Sequence, residues 1–443
     1  MMPDTDQKTL RAILDAALAA VAPDGAVERN VSLEGGVLRA AGKEYDLSQY
    51  RRILLLGAGK GAAPMAATVE NLLGERLDEG LVVVKYDHAM DLTRTRVLEG
   101  GHPMPDAPGE AAARSILELA ESAGSQDLVI VVLTGGASAL TPATAPGIDL
   151  SHVQETTRLM LDCGATIHEI NAVRKHLSAF GGGMLAKACY PATVLAFIVS
   201  DVVGDDLDVI ASGPVTPDSS TYQGCLSILE SYGIAKSLPE PVAERLRAGA
   251  AGELPETPKQ GDEVFERVTT ALVATNRMAL DAASAKAGEL GFAPRILTDR
   301  LTGEAREVAV SLIREACSAR SRARALGRPV CLLAGGETTV TISGEGKGGR
   351  NQEMALAATL ELGDEPGVCA LFAGTDGTDG PTDAAGGYAL PDGLARAMSC
   401  AVDPRTCLLN NDSYNFLNET GCLLVTGPTR TNVMDIAVLL VHP

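Results

Sequence analysis

Tryptophan is absent and aromatic residues make up only 3% of the 443 residues, so any core must be aliphatic. Hydrophobic residues still amount to 46%, enough for large cores of Leu, Val, Ile and Ala. No apolar run reaches the roughly 18 residues of a spanning helix, which argues against a membrane protein. A surplus of positive charge is missing as well: the net charge is −20 and the pI about 4.8. Non-specific nucleic-acid binding needs a basic face and is therefore not expected. Small anionic substrates stay possible, because local Lys and Arg can reverse the field in one pocket. The nine Cys form no C-x-x-C pair and are odd in number, so neither a disulfide framework nor a zinc site is expected. Reduced thiols and an N-terminus without a basic-then-apolar leader point to a cytoplasmic protein. Walker A, the common phosphate loop, does not occur.

What is present is an α/β rhythm. Apolar runs at Ile53–Leu56, Leu81–Val84, Leu128–Leu133 and Val194–Val199, with a weaker one at Arg94–Leu98, alternate with helical patterns. Such runs predict parallel strands covered on both faces. One helix is expected over Ala172–Ala188. Ala248–Asp262 is rich in Gly, Pro and charge, and a domain boundary is placed there. The expected division is 1–255, a larger Rossmann-like domain with a parallel sheet, and 256–443, a smaller α/β domain. The second domain repeats the rhythm from Val268–Val273 to Val368–Phe372. Thr338–Ile342 is read as a paired strand, and Leu423–Thr426 with Ile436–Val441 as a terminal hairpin.

Several stretches carry chemistry. Gly57-Ala58-Gly59-Lys60-Gly61-Ala62 lies between a strand and a helix and fits the spacing G-x-G-x-x-A of dinucleotide sites. The next strand ends in Val84-Lys85, however, where a ribose-binding acid would be required. A Lys beside backbone N–H donors at a helix start suits a phosphoryl group instead. The plain alternative is a tight turn with a solvated Lys60. Gly135, Gly136 and Ser138 follow the strongest strand, where N–H groups and a hydroxyl can meet an oxyanion. Leu333–Thr338 echoes that loop and puts Glu337 at a second strand end. Asn171, Arg174 and Lys175 form a basic patch at helical i, i+3 and i+4 spacing, which is either a ligand face or a solvated one. Asp201, Asp205, Asp206 and Asp208 crowd a loop that runs on to Ser212 and Gly213, and a cation among them would relieve the repulsion. Gly344–Gly349, with four glycines in six positions, predicts a mobile or tightly turned backbone leading to Arg350 and Asn351 at a helix start. Asp376, Asp379 and Asp383 repeat at short spacing after a strand, which fits either a Mg²⁺ site or a series of Asx turns.

Taken together, GAGKGA, GGHPMPD, LTGGASAL, NAVRKHLSAFGGG, SDVVGDDLDVIASGP, AGGETTV, GKGGRNQE, GTDGTDGPTDAAGG and TGPTRTN resemble the class II glycerate 2-kinase family. Its members join a GAGKA-type N-terminal domain to a C-terminal MOFRL domain, and some carry the label hydroxypyruvate reductase. The resemblance spans nearly the whole chain. It implies phosphorylation of D-glycerate to 2-phosphoglycerate by ATP with a divalent cation, Mg²⁺, in a cleft between two α/β domains. It assigns Lys60 as the motif lysine and Arg350 as the essential arginine. Asp201 and Asp376 become the acid candidates, one for Mg²⁺ and one for the glycerate hydroxyl proton, with Asp205 and Asp379 as further metal ligands. Gly57, Gly59, Gly135, Gly136, Ser138, Asn171, Arg174, Lys175, Ser212, Gly213, Glu337 and Asn351 are the expected substrate and ATP contacts. Arg430 stands where the family usually has a small residue. An NAD(P)H-dependent hydroxypyruvate reductase and a non-catalytic glycerate or nucleotide sensor are the competing readings. Assembly into a homo-oligomer is left open.

Overall fold

The computed structural model describes residues 3–363 and 365–443. The chain forms two compact units, and the predicted division at 255/256 does not match them. The N-terminal unit comprises Ala26–Val199 and Asp206–Val273; the C-terminal unit comprises Met1–Gly25, Ser200–Asp205 and Ala274–Pro443. Residues 248–262 are not a free linker. Within the N-terminal unit Glu256 accepts from the Tyr222 N–H, and Thr257 donates to Asp218 at 2.8 Å.

That unit opens with a three-stranded meander, β1 (Val31–Glu34), β2 (Val37–Ala40) and β3 (Lys43–Asp46), too short and too polar to stand out in the sequence. Its main sheet holds β4 (Arg52–Ala58), β5 (Glu79–Lys85), β6 (Thr95–Gly100), β7 (Asp127–Leu133), β8 (Thr193–Val199) and β9 (Val268–Ala274). The spatial order is β6-β5-β4-β7-β8-β9, with parallel pairing from β6 through β8. This is the doubly wound Rossmann order, whose strand sequence reverses between the first and fourth strands, here β4 and β7. All seven residues of β7 are buried, as an unbroken Leu/Val/Ile run demands when both faces are covered. The expected helix over 172–188 is two helices, Ile167–His176 and Met184–Cys189. Gly182 and Gly183, at φ +61° and +80°, turn the chain between them.

Asp127 begins β7 with its side chain fully buried. It accepts from Arg51 at 3.0 Å, from Arg52 at 2.8 Å and from the Gly124 N–H at 2.9 Å. Burial pushes this carboxyl up, but the two guanidinium groups and the N–H outweigh burial and hold it well below the usual carboxylate range. A folded pKa below the unfolded value of about 3.9 adds stability above that pH and loses it as the pH falls. Thermal unfolding of the wild type should therefore shift downward as the pH falls below about 4, and Asp127→Asn should flatten that slope. Identical slopes for the two chains would remove Asp127 from the acid response.

The C-terminal unit contains β10 (Ala293–Leu301), β11 (Val330–Gly336), β12 (Val368–Gly374), β13 (Gly386–Ala389), β14 (Leu423–Leu424) and β15 (Asp435–Val441), in the order β10-β11-β15-β12-β13-β14. β10 and β11 are parallel; β15 runs antiparallel between β11 and β12. The terminal hairpin expected from the sequence does not form, because β14 pairs with β13 instead. Thr338–Ile342 is not a strand either and makes only an isolated bridge from Thr339 to Glu304. The first helix, Pro3–Ala20, belongs to this unit, where Thr431 donates to the Val21 carbonyl just beyond the helix. All nine cysteines are unpaired, and no described helix is long and apolar enough to cross a membrane.

Candidate active site

In the N-terminal unit the loops after β4 and β7 leave the sheet side by side at the point of strand reversal, where open α/β sheets bind ligands. They are joined directly. The Lys60 N–H donates to the Gly135 carbonyl at 2.9 Å, and the Gly61 N–H to the Thr134 hydroxyl at 2.9 Å. Gly59 has φ +127°, and a Cβ there would fall 2.2 Å from the Thr134 Oγ1, so only glycine fits. Gly57 is closed in likewise by Val132 and Val82. Gly136 sits at φ +86°; a Cβ would meet the His102 ring at 2.9 Å and the Lys60 Cγ at 3.4 Å. The Lys60 stem and the His102 imidazole thus stand over the glycine loop. Among the described residues no acceptor takes the N–H of Gly135 or Gly136. Lysine, two backbone donors and an imidazole around one loop form a site for an anion.

Arg174 extends it. Its Nη2 lies 3.5 Å from the Ser138 carbonyl, and no carboxylate pairs with it among the described residues. Burial alone pushes its guanidinium below the ordinary arginine value. Arg174, Ser138, Ser178 and Ser212 line one pocket. Ala211 and Ser212 both adopt left-handed φ, +54° and +60°, just before Gly213 at +59°. Two such non-glycine residues in a row cost about 1–2 kcal/mol each, and strain of this kind concentrates at functional loops. The basic patch does not act as one face, however. Lys175 turns inward, 5% exposed, to Asp218 at 3.3 Å and Asp208 at 3.4 Å. Asn171 is buried and outside the pocket lining. Lys175 still lines the same pocket as Arg174, with its amine held by these two acids. His102 was visible in GGHPMPD, but nothing in the sequence placed it over the Gly136 loop.

In the C-terminal unit, Arg350 is the first residue of the helix Arg350–Leu362. Its Nε and Nη2 donate to Asp435 at 2.6 and 3.0 Å, and its Nη1 to Glu337 at 2.7 Å. The next two residues anchor Asp379, which accepts from the Asn351 and Gln352 N–H groups at 3.2 and 2.8 Å. Burial raises this carboxyl to about 6, against the pull of those donors and with the Asp435 charge adding to the rise. Asp379 thus holds the start of a helix rather than presenting an open metal ligand. Asp376 accepts from the N–H and hydroxyl of Thr378, the Asx-turn alternative. The glycine run before Arg350 is neither loose nor left-handed, since none of Gly344, Gly346, Gly348 or Gly349 has positive φ. A Cβ on Gly344 or Gly346 would fall 2.4–2.5 Å from the Asn410 backbone, and one on Gly349 would strike Asp379. These glycines permit close packing, with Asn411 accepting from the N–H groups of Ser343 and Gly344. Arg430 has φ +63°, which accounts for a small residue being usual at that position.

Asp201 and Asp205 lie on Ser200–Asp205, the short segment of this unit that follows β8. Asp205 Oδ1 is a buried acceptor that no donor reaches among the described residues. No three His, Cys, Asp or Glu side chains converge on one point among the described residues, so Asp205 and Asp379 do not build a metal cage.

Known proteins resemble the chain over nearly its whole length. The family described as a domain of unknown function (DUF4147) matches residues 9–247, and the MOFRL family matches residues 330–435. A D-glycerate 2-kinase of Thermotoga maritima is 39% identical over 99% of this chain and 99% of its own. A putative hydroxypyruvate reductase of Agrobacterium vitis is 40% identical over 98% of this chain and 94% of its own. The crystal structure of a Thermotoga maritima glycerate kinase superposes with a TM-score of 0.87 at 39% identity, covering 99% of this chain and all of that one. With relatives aligned over nearly its full length and both domain families in order, the chain belongs to the glycerate 2-kinase family.

Proposed function

We propose that the protein transfers the γ-phosphoryl group of ATP to the 2-hydroxyl of D-glycerate. The observation that carries this reading is the loop pair at the strand reversal, where the Lys60 stem packs beside Gly136 and the Lys60 N–H bonds the Gly135 carbonyl. Phosphoryl transfer asks a protein mainly for positioning and charge neutralisation. Lys60 contacts the transferring phosphoryl oxygens, and the glycine loop donates N–H groups to them. Arg174, half-buried and without an acid partner among the described residues, suits an anionic group of a ligand in its pocket. Arg350 orients the substrate carboxylate or spans it and the γ-phosphate. Asp201 and Asp376 share the remaining acid tasks, orienting Mg²⁺ and accepting the hydroxyl proton. The shared cleft expected from the resemblance belongs to the same proposal, since Lys60 and Arg350 must serve one pair of ligands.

The acids suit Mg²⁺ in one specific respect. The orphaned Asp205 Oδ1 offers an oxygen without a donor, and Asp201 lies on the same segment. A sparse acid set fits this ion, which keeps waters and nucleotide phosphate oxygens as most of its ligands. Bound there, Mg²⁺ would supply neutralisation of phosphate charge.

The reductase reading fits less well. In a dinucleotide site the second glycine of G-x-G leaves room for pyrophosphate. Here the space beside Gly59 is filled by Thr134, and β5 ends in Lys85 instead of an acid. Incubation with D-glycerate, ATP and Mg²⁺ should yield 2-phosphoglycerate, identified by phosphorus NMR, while NADH or NADPH with hydroxypyruvate should lose no absorbance. Oxidation of the reduced cofactor without ADP formation would reverse the assignment, and glycerate binding without ATP consumption would make the protein a sensor.

A further inference from the structure

Arg350 does not stand alone at its helix start. Two of its three guanidinium contacts go to Asp435, a residue that no sequence motif marks as functional. Asp435 opens β15, and the register sets it opposite Gly336 of β11 on one side and Gly374 of β12 on the other. Both neighbours lack side chains, so nothing beside the carboxylate crowds the incoming guanidinium. Because β15 runs antiparallel between these strands, its first residue lies at their carboxyl ends, where Glu337 and Asp376 follow. The strand insertion thus carries an acid to the floor of the site.

Its surroundings hold it in place. The Asn276 amide donates to the carbonyls of Val433 and Asp435 at 2.8 and 2.9 Å. The Asn351 amide donates to Asp435 Oδ1 at 2.9 Å. The Asp435 side chain is 5% exposed, whereas that of Glu337, the other partner of Arg350, is 43% exposed. A buried bidentate pair fixes the plane of a guanidinium; a solvated single contact does not. The two acids therefore differ in kind. Glu337 meets Nη1 through one bond at the solvent side, so an anionic ligand can take over that contact. Asp435 grips Nε and Nη2 from below.

We infer that Asp435 is a positioning residue for the transfer reaction, setting the plane of Arg350 so that the Nη1 edge faces the ligand. This inference rests on the kinase reading, in which Arg350 acts on the substrates. If it holds, the carboxylate matters only while Arg350 is present.

The test is a double-mutant cycle with wild type, Asp435→Asn, Arg350→Ala and the double variant, with rates expressed per folded molecule from the unfolding transition of each chain. Asp435→Asn should lower kcat by roughly 30-fold or more, the scale of losing transition-state positioning. In the Arg350→Ala background the same change should alter kcat by less than about 3-fold, the marked non-additivity of residues acting as a unit. A structural role predicts equal factors in both backgrounds, and equal factors would overturn the inference. Should Asp435→Asn alone fail to fold, Arg350→Ala and the double variant still decide, since removing both charges leaves no buried ion unpaired. A further drop of about ten-fold between those two would refute the inference. The four chains are also titrated with Mg²⁺-ATP. If the wild type transfers no phosphate to D-glycerate, the kinase reading fails by itself. The affinity cycle then judges Asp435 by the same criterion of additivity.

Discussion

Replacing Arg350 by alanine is expected to lower phosphate transfer to D-glycerate by roughly 10²- to 10³-fold, the usual consequence of losing a charge that acts in the transition state. A second effect accompanies the first. Asp435 would be left buried without its partner, and breaking a buried pair from one side typically costs about 3–5 kcal/mol. Burial already pushes the Asp435 carboxyl up, and Arg350 and Asn351 pull it back. Without Arg350 the carboxyl should take up a proton more readily, so lowering the pH should favour the folded variant more than it favours the folded wild type. Arg350→Lys should also be impaired, because an ammonium group cannot reproduce the fork that meets both Asp435 oxygens and Glu337. Steady-state rates with coupled ADP detection, and melting at two pH values, check both effects. A wild-type rate in Arg350→Ala would end its assigned role.

Lys60→Ala should lose a similar factor in turnover, roughly 10²- to 10³-fold, by a different route. Its stem packs beside Gly136, whereas the loop backbone is held by bonds of its own. The Lys60 N–H to Gly135, the Gly61 N–H to Thr134 and the packing of Gly59 on Thr134 all survive the substitution. The loop backbone should accordingly stay in place, and the variant should fold with the same sheet and loop bonds. The two variants are distinguishable by what they leave behind: only the arginine variant strands a buried carboxylate, that of Asp435. A Lys60→Ala protein with near-normal kcat would contradict this role.

The sequence displayed the parts of the site that are local. Glycines close behind Leu56 and Leu133 flag two strand ends, and a Lys between glycines is visible without any structure. The parallel sheet was equally legible, because a run such as Leu128–Leu133 has no polar face to expose. Long-range relations were not legible. Ile436–Val441 reads as a strand, but its neighbours in sequence suggested a hairpin with Leu423–Thr426, and only the sheet order shows it between β11 and β12. Asp435 therefore looked like a strand flank. Helical spacing puts Lys175 near Arg174, and both line one pocket, yet the pairing of Lys175 with Asp218, 43 residues on, was not legible. The glycines before Arg350 were recognised as special, but the reason, a backbone passing against Asn410, lies some 65 residues downstream.

The central place of β15 bears on how the protein is made. Residues 435–441 leave the ribosome after every other strand of their sheet, and the helix Pro3–Ala20, which emerges early, belongs to that same unit. The N-terminal unit, by contrast, has all of its strands available once residue 274 is out. Domains commonly fold as units during synthesis, the earlier ones first. The nascent chain therefore carries its opening helix without its final partner for most of translation, and β11 and β12 wait with unpaired edges until the strand that separates them arrives.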